Sequence, residues 1–159
     1  MSAKIFNGRH IANSKDQAFV VFMIGMRINE LSKFWKCVPV FTAMGPMLKE
    51  LRQNQQWGFI HSEFFVSWRK VILIQYWQDF DELINYAHGK THASAWKAYN
   101  QKIKDNGSVG VFHETYQIGK GASEAMYVNM PKSGLAIATE HIRVSKETNT
   151  AKKRMSNSI

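Results

Sequence analysis

The sequence is organised around one stretch, Asp79-Phe-Asp-Glu82-Leu-Ile-Asn-Tyr-Ala-His88-Gly-Lys-Thr-His92-Ala-Ser-Ala-Trp96-Lys-Ala-Tyr99-Asn-Gln-Lys-Ile103. Asp79 can accept hydrogen bonds from the free N–H groups of a first helical turn, and Glu82 follows three residues later, as in a capping box. Acidic side chains in a first turn also suit the helix dipole. The stretch therefore predicts a helix, or a pair of helices, that begins at Asp79 and ends near Asp105-Asn-Gly107.

A continuous helix would place five uncharged side chains of this stretch on one face. They are His88, His92, Trp96, Tyr99 and Ile103. An aromatic and imidazole face of this kind can line a pocket. Gly89 costs about 1 kcal/mol inside a helix, so a pair of shorter helices is the alternative. A break there would change the phase between His88 and the later residues.

The composition is that of one folded domain with tails. The chain has 159 residues, of which 45% are hydrophobic and 13% aromatic, enough for a sizeable core. It contains no run of about 18 apolar residues, so we predict no membrane span and no membrane partner. The N-terminal residues lack the apolar centre of a signal peptide. Cys37 is the single cysteine and cannot form an internal disulfide, which favours a cytoplasmic location.

The net charge of +9 raises nucleic acid as a partner. The distribution of the charge argues against it, because part of the excess lies in Ala151-Lys-Lys-Arg-Met155 and the rest is scattered. No predicted helix shows a stripe of Lys and Arg, and no nucleic-acid-binding motif occurs. We therefore predict a solvated basic surface and no nucleic-acid partner. The alternative is that the positive charge favours an acidic ligand.

Four apolar segments rich in β-branched and aromatic residues are predicted to be strands. They are Ala18–Asn29, Trp57–Val66, Val71–Trp77 and Ser108–Ile118. The first and third are apolar on both faces, so both faces of the sheet need a cover. Gly25 in the first strand predicts a bulge or the close approach of another group. The fourth strand alternates, with His113 on one side and Glu114 and Tyr116 on the other.

A helix is predicted between the first two strands, because four apolar residues keep helical spacing. They are Met44, Met47, Leu48 and Leu51. Pro46 is tolerated best in a first turn, so we expect this helix to begin near Gly45 and to end at Asn54. A fifth strand at Glu124–Met130 and a short helix at Leu135–Glu140 are further candidates.

The order strand, helix, strand, strand, helix, strand predicts an α+β fold of the ferredoxin-like β-α-β-β-α-β type, with an antiparallel sheet that carries both helices on one face. A second copy of the chain is the expected cover for the other face, which gives a homodimer. The pocket would lie between the sheet and the helices of each subunit. We predict an N-terminal arm at residues 1–17, the domain at 18–144, and a disordered basic tail at 145–159.

Several segments together resemble one known family. They are Phe22-Met-Ile-Gly-Met-Arg-Ile-Asn29, Gln75-Tyr-Trp77, Tyr86-Ala87 with His92-Ala-Ser-Ala-Trp96, Gly110-Val-Phe-His-Glu-Thr-Tyr116 and Glu124-Ala-Met-Tyr-Val-Asn-Met-Pro131. In this order and spacing they are similar to an uncharacterised monooxygenase-like family related to the antibiotic-biosynthesis monooxygenases of the dimeric α+β barrel superfamily. The resemblance covers roughly residues 15–140. It implies a homodimer of ferredoxin-like units that form a dimeric α+β barrel.

The relatives that this resemblance implies include cofactor-independent oxygenases acting on polycyclic phenols, haem-binding or haem-degrading proteins and, more distantly, the haem-carrying aldoxime dehydratases. We therefore expect a monooxygenase-like enzyme that oxidises a small aromatic or polyketide-like substrate, with no cofactor or with haem. A fold does not fix a reaction, so a haem protein and a non-catalytic dimeric module that binds a small apolar ligand are the alternatives. The sequence does not name the substrate.

Cofactor-free oxygenation needs a base in an apolar pocket and a donor that holds the substrate anion. His92 or His113 is the candidate base, because histidine titrates near neutral pH. The candidate catalytic residues are His92, His113, Glu114 and Tyr116, the candidate substrate-binding residues are Trp96, Tyr99, Asn29 and His88, and second choices are His61 and Glu63. The alternative is that His113 and Glu114 satisfy strand-edge hydrogen bonds, and that Trp96 fills core.

Haem would need an axial imidazole. His92 or His88 on the predicted helix is the candidate ligand, and Trp96 would lie against the porphyrin. Arg27 or surface lysines would meet the propionates. Methionines at helical spacing, which would suit a large flat guest, are more often ordinary core.

We predict no metal site. His88 and His92 have the i, i+4 spacing of two ligands, but Gly89 stands where the acid of an HExxH motif would be. His113 and Glu114 are neighbours on a strand, so their side chains point to opposite faces and cannot share one ion.

Overall fold

The computed structural model of the chain describes residues 3–89, 97 and 107–156. Its strands are β1 (Phe6–Asn13), β2 (Phe19–Ile28), β3 (Phe59–Val66), β4 (Lys70–Trp77), β5 (Val109–Ile118), β6 (Met126–Met130) and β7 (Glu140–Arg143). Its α-helices are α1 (Val38–Gln53), α2 (Phe80–Ala87), α3 (Leu135–Ala138) and α4 (Ala151–Ser156). Two short 3₁₀ helices, Leu31–Cys37 and Gln55–Trp57, flank α1.

The main sheet has the strand order β3-β4-β2-β5, and each neighbouring pair is antiparallel. Val20 of β2 lies opposite Trp77 of β4 and Gln117 of β5, which fixes the register. Elements β2-α1-β3-β4-α2-β5 in this sheet order form the ferredoxin-like arrangement. The predicted α+β fold class is confirmed, and each of the four predicted main-sheet strands ends within two residues of its expected bounds.

Two groups of buried side chains pack on the face of the main sheet that carries α1 and α2, which we call the helix face. The first group is Val20, Leu51, Phe59, Trp77 and Leu83. The second group is Met26, Cys37, Val71 and Val109. Val20 and Met26 share one face of β2 and lie six residues apart, which is about 20 Å along a strand. The two core groups therefore occupy opposite ends of the helix face.

Helix α2 begins as predicted. The side chain of Asp79 accepts a hydrogen bond from the backbone N–H of Glu82 at 2.8 Å. The helix ends at Ala87, and His88 is its C-terminal cap. Of the two alternatives left open by the sequence, one helix running on through Gly89 is therefore excluded. The other predicted members of that face, at positions 92, 96, 99 and 103, lie outside the described residues.

Helix α1 begins earlier than predicted. It starts at Val38 with Pro39 in its first turn and contains Pro46 in its interior. Pro39 occupies the first-turn position expected for Pro46, so the predicted start near Gly45 is wrong. The predicted end is confirmed, because the N–H of Asn54 caps the last turn by bonding to the carbonyl of Glu50 at 3.1 Å.

A second, three-stranded sheet has the order β6-β1-β7. The prediction of an arm at residues 1–17 is wrong for this part, because residues 6–13 form the central strand β1. Only Ile11 and Ala12 of this strand are fully buried. The sequence is therefore mostly polar and does not predict a strand here. The segment before α3 contacts the outer face of the main sheet, the face opposite the helix face: Glu63 accepts hydrogen bonds from Ser133 Oγ at 2.7 Å and Gly134 N–H at 2.5 Å. Part of the cover expected from a second copy thus comes from the chain itself.

The described part of the predicted disordered tail is ordered. Helix α4 spans Ala151–Ser156. Arg154 donates from Nε to Glu124 Oε1 at 2.6 Å and from Nη1 to the carbonyl of Thr148 at 2.8 Å. These contacts offset the low apolar content on which the disorder prediction rested. In the described parts of the chain, none of the helices has the length and apolar character needed to cross a bilayer.

Gly25 lies under the ring of Phe112 on the outer face, which confirms the predicted close approach of another group. A Cβ at Gly25 would clash with that ring. We expect Gly25→Ala to lower the free energy of unfolding by about 1–3 kcal/mol, measured by urea denaturation. Gly119→Ala is the control, because a Cβ there would have only the Ala122 Cβ nearby, at 4.0 Å. Equal stability of the two variants would contradict the packing of Phe112 on Gly25.

The second sheet contains a stacked pair of imidazoles, His10 and His141, with ring centroids 4.8 Å apart. The rings of Phe6 and Tyr127 contact His141 edge-on. Burial lowers the pKa of His141, and the neighbouring His10 and Lys132 lower it further. The surroundings of His141 therefore favour its neutral form.

Protonation of His141 is expected to favour unfolding, because the folded state binds the proton less readily than the unfolded chain. The contribution of neutral His141 to stability should be fully present above about pH 6.5, the pKa of a histidine in the unfolded chain. It should decrease as the pH falls below that value. His141→Phe should remove this part of the decrease, measured as the change in unfolding midpoint between about pH 8 and pH 5. Comparing the two proteins at the higher pH corrects for altered packing, and an unchanged pH dependence in the variant would contradict the assignment.

Candidate functional site

The centre of the helix face lies between the two core groups. Here Leu73 of β4, Ile24 of β2 and His113 of β5 stand opposite one another, and we call these three residues the central row. The alternation of side chains along each strand places all three on the helix face, together with Val20 and Met26. Leu73 is buried, Ile24 is half-buried and His113 is exposed. The row therefore runs from an apolar interior to an accessible imidazole on the edge strand β5.

The His113 imidazole lies beside the ring of Phe22, with ring centroids 5.9 Å apart and an angle of 37° between the planes. Phe22 also packs against the first core group. Among the described residues, His113 makes this ring contact and no hydrogen bond.

A second row of polar and aromatic side chains lies next to the central row. Phe22 stands opposite Gln75 on β4 and Thr115 on β5. Gln75 is buried, and its Oε1 accepts a hydrogen bond from Trp77 Nε1 at 2.9 Å. Thr115 is exposed and shares a face with His113, two residues away. The hydroxyl of Thr115 is thus a donor on the same side of the sheet as the candidate base.

Tyr86 of α2 is a phenol that stays protonated. Burial and the nearby Glu50 raise its pKa to about 12. Its hydroxyl donates to the carbonyl of Met47 at 3.5 Å, and its ring lies 5.7 Å from that of Trp77. Sequence reasoning missed this residue as a candidate, although it carries part of the family resemblance. We interpret it as a link between α1 and α2 at the first core group.

Glu114 and Tyr116 lie on the outer face of β5, the face opposite to His113. The Tyr116 hydroxyl donates to Glu114 Oε2, and this hydrogen bond together with the negative charge raises the pKa of Tyr116. The structure thus divides the described part of the predicted catalytic set between two faces. His113 cannot act with Glu114 and Tyr116 on one small molecule in the same subunit.

The predicted substrate-binding residues are also separated. Asn29 donates from Nδ2 to the carbonyl of Gly107 at 2.8 Å and accepts from Arg27 Nη1 at 3.0 Å, so its amide joins two chain segments. His88 is exposed at the end of α2. His92, Trp96 and Tyr99 lie outside the described residues, and their predicted roles stay predictions.

The second-choice residues His61 and Glu63 lie on the outer face of β3. His61 Nε2 is 3.7 Å from Glu63 Oε1. Burial, Tyr127 and Glu63 raise the pKa of nearby Tyr76 to about 12. Because Glu63 already binds Ser133 and Gly134, we interpret this cluster as the attachment of the segment before α3 to the main sheet.

The chain matches the family described as "Monooxygenase af470-like" over residues 19–135. Monooxygenase af470 from Aspergillus fumigatus is 41% identical over 87 residues, which cover 50% of this chain and 30% of that protein. The match therefore spans less than a third of this curated relative. The resemblance predicted from sequence to a monooxygenase-like family is confirmed.

Two solved structures of aldoxime dehydratases share the fold at low sequence identity. One, a complex with butyraldoxime, has a TM-score of 0.64 and 12% identity, and the match covers 82% of this chain and 41% of that chain. The other has a TM-score of 0.63 and 13% identity, and covers 82% and 42% of the two chains. This likeness supports the ferredoxin-like fold, and the matched part is less than half of each dehydratase.

Proposed function

Because the chain belongs to the monooxygenase af470-like family, we propose that it forms an oxygenase site for a small aromatic or polyketide-like substrate. One observation carries the proposal: the exposed imidazole of His113 lies on the helix face, beside Phe22 and between the two core groups. Apolar surface binds the flat part of such a substrate through contact area. The imidazole then stands at the edge of that surface, where it can reach an acidic proton.

The proposed reaction begins when His113 takes a proton from a phenol or from the CH₂ group of its keto form, leaving an electron-rich anion. The anion reduces dioxygen, and one oxygen atom forms the new bond to carbon. The remaining C–H bond and the O–O bond then break, and the second oxygen atom leaves as water with that carbon's hydrogen and the proton held by the imidazole. Overall, a CH₂ group and O₂ become a C=O group and H₂O, so the substrate carbon is oxidised and dioxygen is reduced. Among the described residues, Thr115 carries a hydroxyl on the same side of the sheet as His113, and this hydroxyl would donate a hydrogen bond to the anion.

A haem protein is the second candidate, supported by the fold shared with aldoxime dehydratases over 82% of the chain. An exposed imidazole beside an aromatic ring could serve as an axial ligand of haem iron. His113 is therefore a candidate ligand in addition to the predicted ligand His92. Arg27 does not fit its predicted role, because the register places it on the outer face, away from His113. Haem bound here would supply redox or Lewis-acid chemistry, and Phe22 would pack against its ring.

A homodimer remains part of the proposal. The outer face keeps apolar side chains that the second sheet does not fully bury: Phe65 is exposed, and Met23, Ile72 and Ile74 are half-buried. A symmetric partner would cover them. Light scattering on the purified protein should give twice the chain mass, and Ile74→Glu should give a monomer. A monomeric wild-type protein would contradict this part of the proposal.

Oxygen consumption with a panel of hydroquinones and anthrones tests the main proposal. We expect uptake of one O₂ for each substrate oxidised, without added metal or haem. Titration with hemin tests the second candidate, because a bound haem gives a Soret band that shifts when its axial imidazole is removed. No uptake, with tight binding of an anthrone that quenches tryptophan fluorescence, would favour the non-catalytic binding module over both candidates.

A further inference from the structure

One end of the main sheet exposes large apolar side chains from two separate segments. Phe34 and Trp35 of the first 3₁₀ helix are 59% and 56% exposed, and their rings contact each other edge-on. Val66 and Trp68, at and just after the end of β3, are 71% and 83% exposed. We call these four residues the aromatic end. Moving an apolar side chain of this size out of water lowers the free energy by about 1.5–3 kcal/mol when it becomes fully buried.

The two segments belong to the same end of the sheet. The backbone N–H of Ile28, the last residue of β2, bonds to the carbonyl of Arg69 at 2.9 Å. The 3₁₀ helix begins three residues after Ile28, and its last residue, Cys37, packs in one buried group with Val71. The aromatic end therefore combines the β3–β4 connection with the 3₁₀ helix on a shared support.

The two segments that form the aromatic end are rich in basic residues. Segments 27–38 and 66–70 contain five basic residues and one acidic residue, Glu30. The basic residues are Arg27, Lys33, Lys36, Arg69 and Lys70. These segments therefore carry a net charge of +4 of the +9 in the whole chain. Exposed aromatic rings within a basic rim are the pattern of a surface that meets the headgroup region of an anionic membrane.

We propose that the aromatic end docks peripherally on an anionic phospholipid surface. Trp35 and Trp68 would insert at the headgroup level, where tryptophan is enriched, and the basic rim would bind the lipid phosphates and carboxylates. The like charge of the rim disfavours a second copy of the same surface as the occupant. Peripheral docking needs no spanning helix. It departs from the prediction of no membrane partner made from the sequence, and it does not depend on the oxygenase proposal.

Vesicle sedimentation with the whole chain tests this inference. We expect binding to phosphatidylcholine vesicles that contain about 30% phosphatidylserine, and binding at least about tenfold weaker to pure phosphatidylcholine. Raising the salt to about 0.5 M should weaken binding to the anionic vesicles. Trp35→Ala/Trp68→Ala should lower the affinity for anionic vesicles at least about tenfold. Lys33→Gln/Lys70→Gln should weaken binding to the anionic vesicles and leave the weak binding to pure phosphatidylcholine unchanged.

Trp57→Ala is the matched control, because Trp57 precedes β3 and lies at the other end of that strand from Trp68. It should bind anionic vesicles as the wild type does, and circular dichroism should show that all variants are folded. Three results would each overturn the proposal. They are no sedimentation with anionic vesicles, equal affinity for both kinds of vesicle, and an unchanged affinity in the Trp35→Ala/Trp68→Ala variant, which would leave the surface to a protein partner.

Discussion

His113→Ala is expected to lower the rate of substrate-dependent oxygen consumption by about 10²–10⁴-fold, the usual contribution of a general base. The imidazole is exposed on the helix face, and the described residues leave its nitrogens without a hydrogen bond. The loss should appear in kcat with little change in KM, because Phe22, Ile24 and Leu73 still bind the substrate. Free imidazole added to the variant should restore part of the rate, a result that a purely structural histidine would not give.

Two outer-face variants make this a test of which face is used. Glu114→Gln and Tyr116→Phe remove the predicted catalytic groups on the other side of β5. If the site lies on the helix face, both should keep rates within about twofold of the wild type, because exposed substitutions away from a site change little. A loss in Glu114→Gln as large as that in His113→Ala would move the site to the outer face and contradict the proposal.

The alternation of β5 shows what the sequence can predict about the site. The period of two places His113 and Glu114 on opposite faces, and the register with β2 confirms it. Chemistry alone grouped His113, Glu114 and Tyr116 as one catalytic set, although the same alternation already separates them. The alternation does not predict which face carries the helices, because β2 is apolar on both faces. The tertiary packing of α1 and α2 determines that face.

The missed strand β1 has a different physical cause. Its sequence is mostly polar, because only Ile11 and Ala12 are fully buried and its neighbours in the second sheet are short strands. Such a strand is stabilised by backbone pairing with β6 and β7, which leaves no periodic signal in the side chains. The early start of α1 is similar, because two prolines compete for the first turn and local rules do not choose between Pro39 and Pro46.

Trp77→Ala is expected to lower the free energy of unfolding by about 3–5 kcal/mol, the largest effect on stability that we predict. Trp77 is fully buried, and its ring lies 5.4 Å from that of Phe59 and 5.7 Å from that of Tyr86. It therefore joins β3, β4 and α2 in one core group. A native domain has only about 5–15 kcal/mol of stability in total, so this variant should show a marked loss of folded protein in urea denaturation.

The hydrogen bond from Trp77 Nε1 to the buried Gln75 Oε1 separates packing from polar pairing. Trp77→Phe keeps an aromatic ring but leaves the Gln75 oxygen without this donor, at a cost of about 1–3 kcal/mol beyond the lost volume. Gln75→Leu alone leaves the indole N–H unpaired in the same way. The double variant removes both polar groups, so its loss should be smaller than the sum of the two single losses by about 1–2 kcal/mol. Trp57→Phe, at a more exposed indole, should change stability by less than about 0.5 kcal/mol. Strict additivity of the two single variants would show that the indole contributes through volume alone and that Gln75 finds another partner.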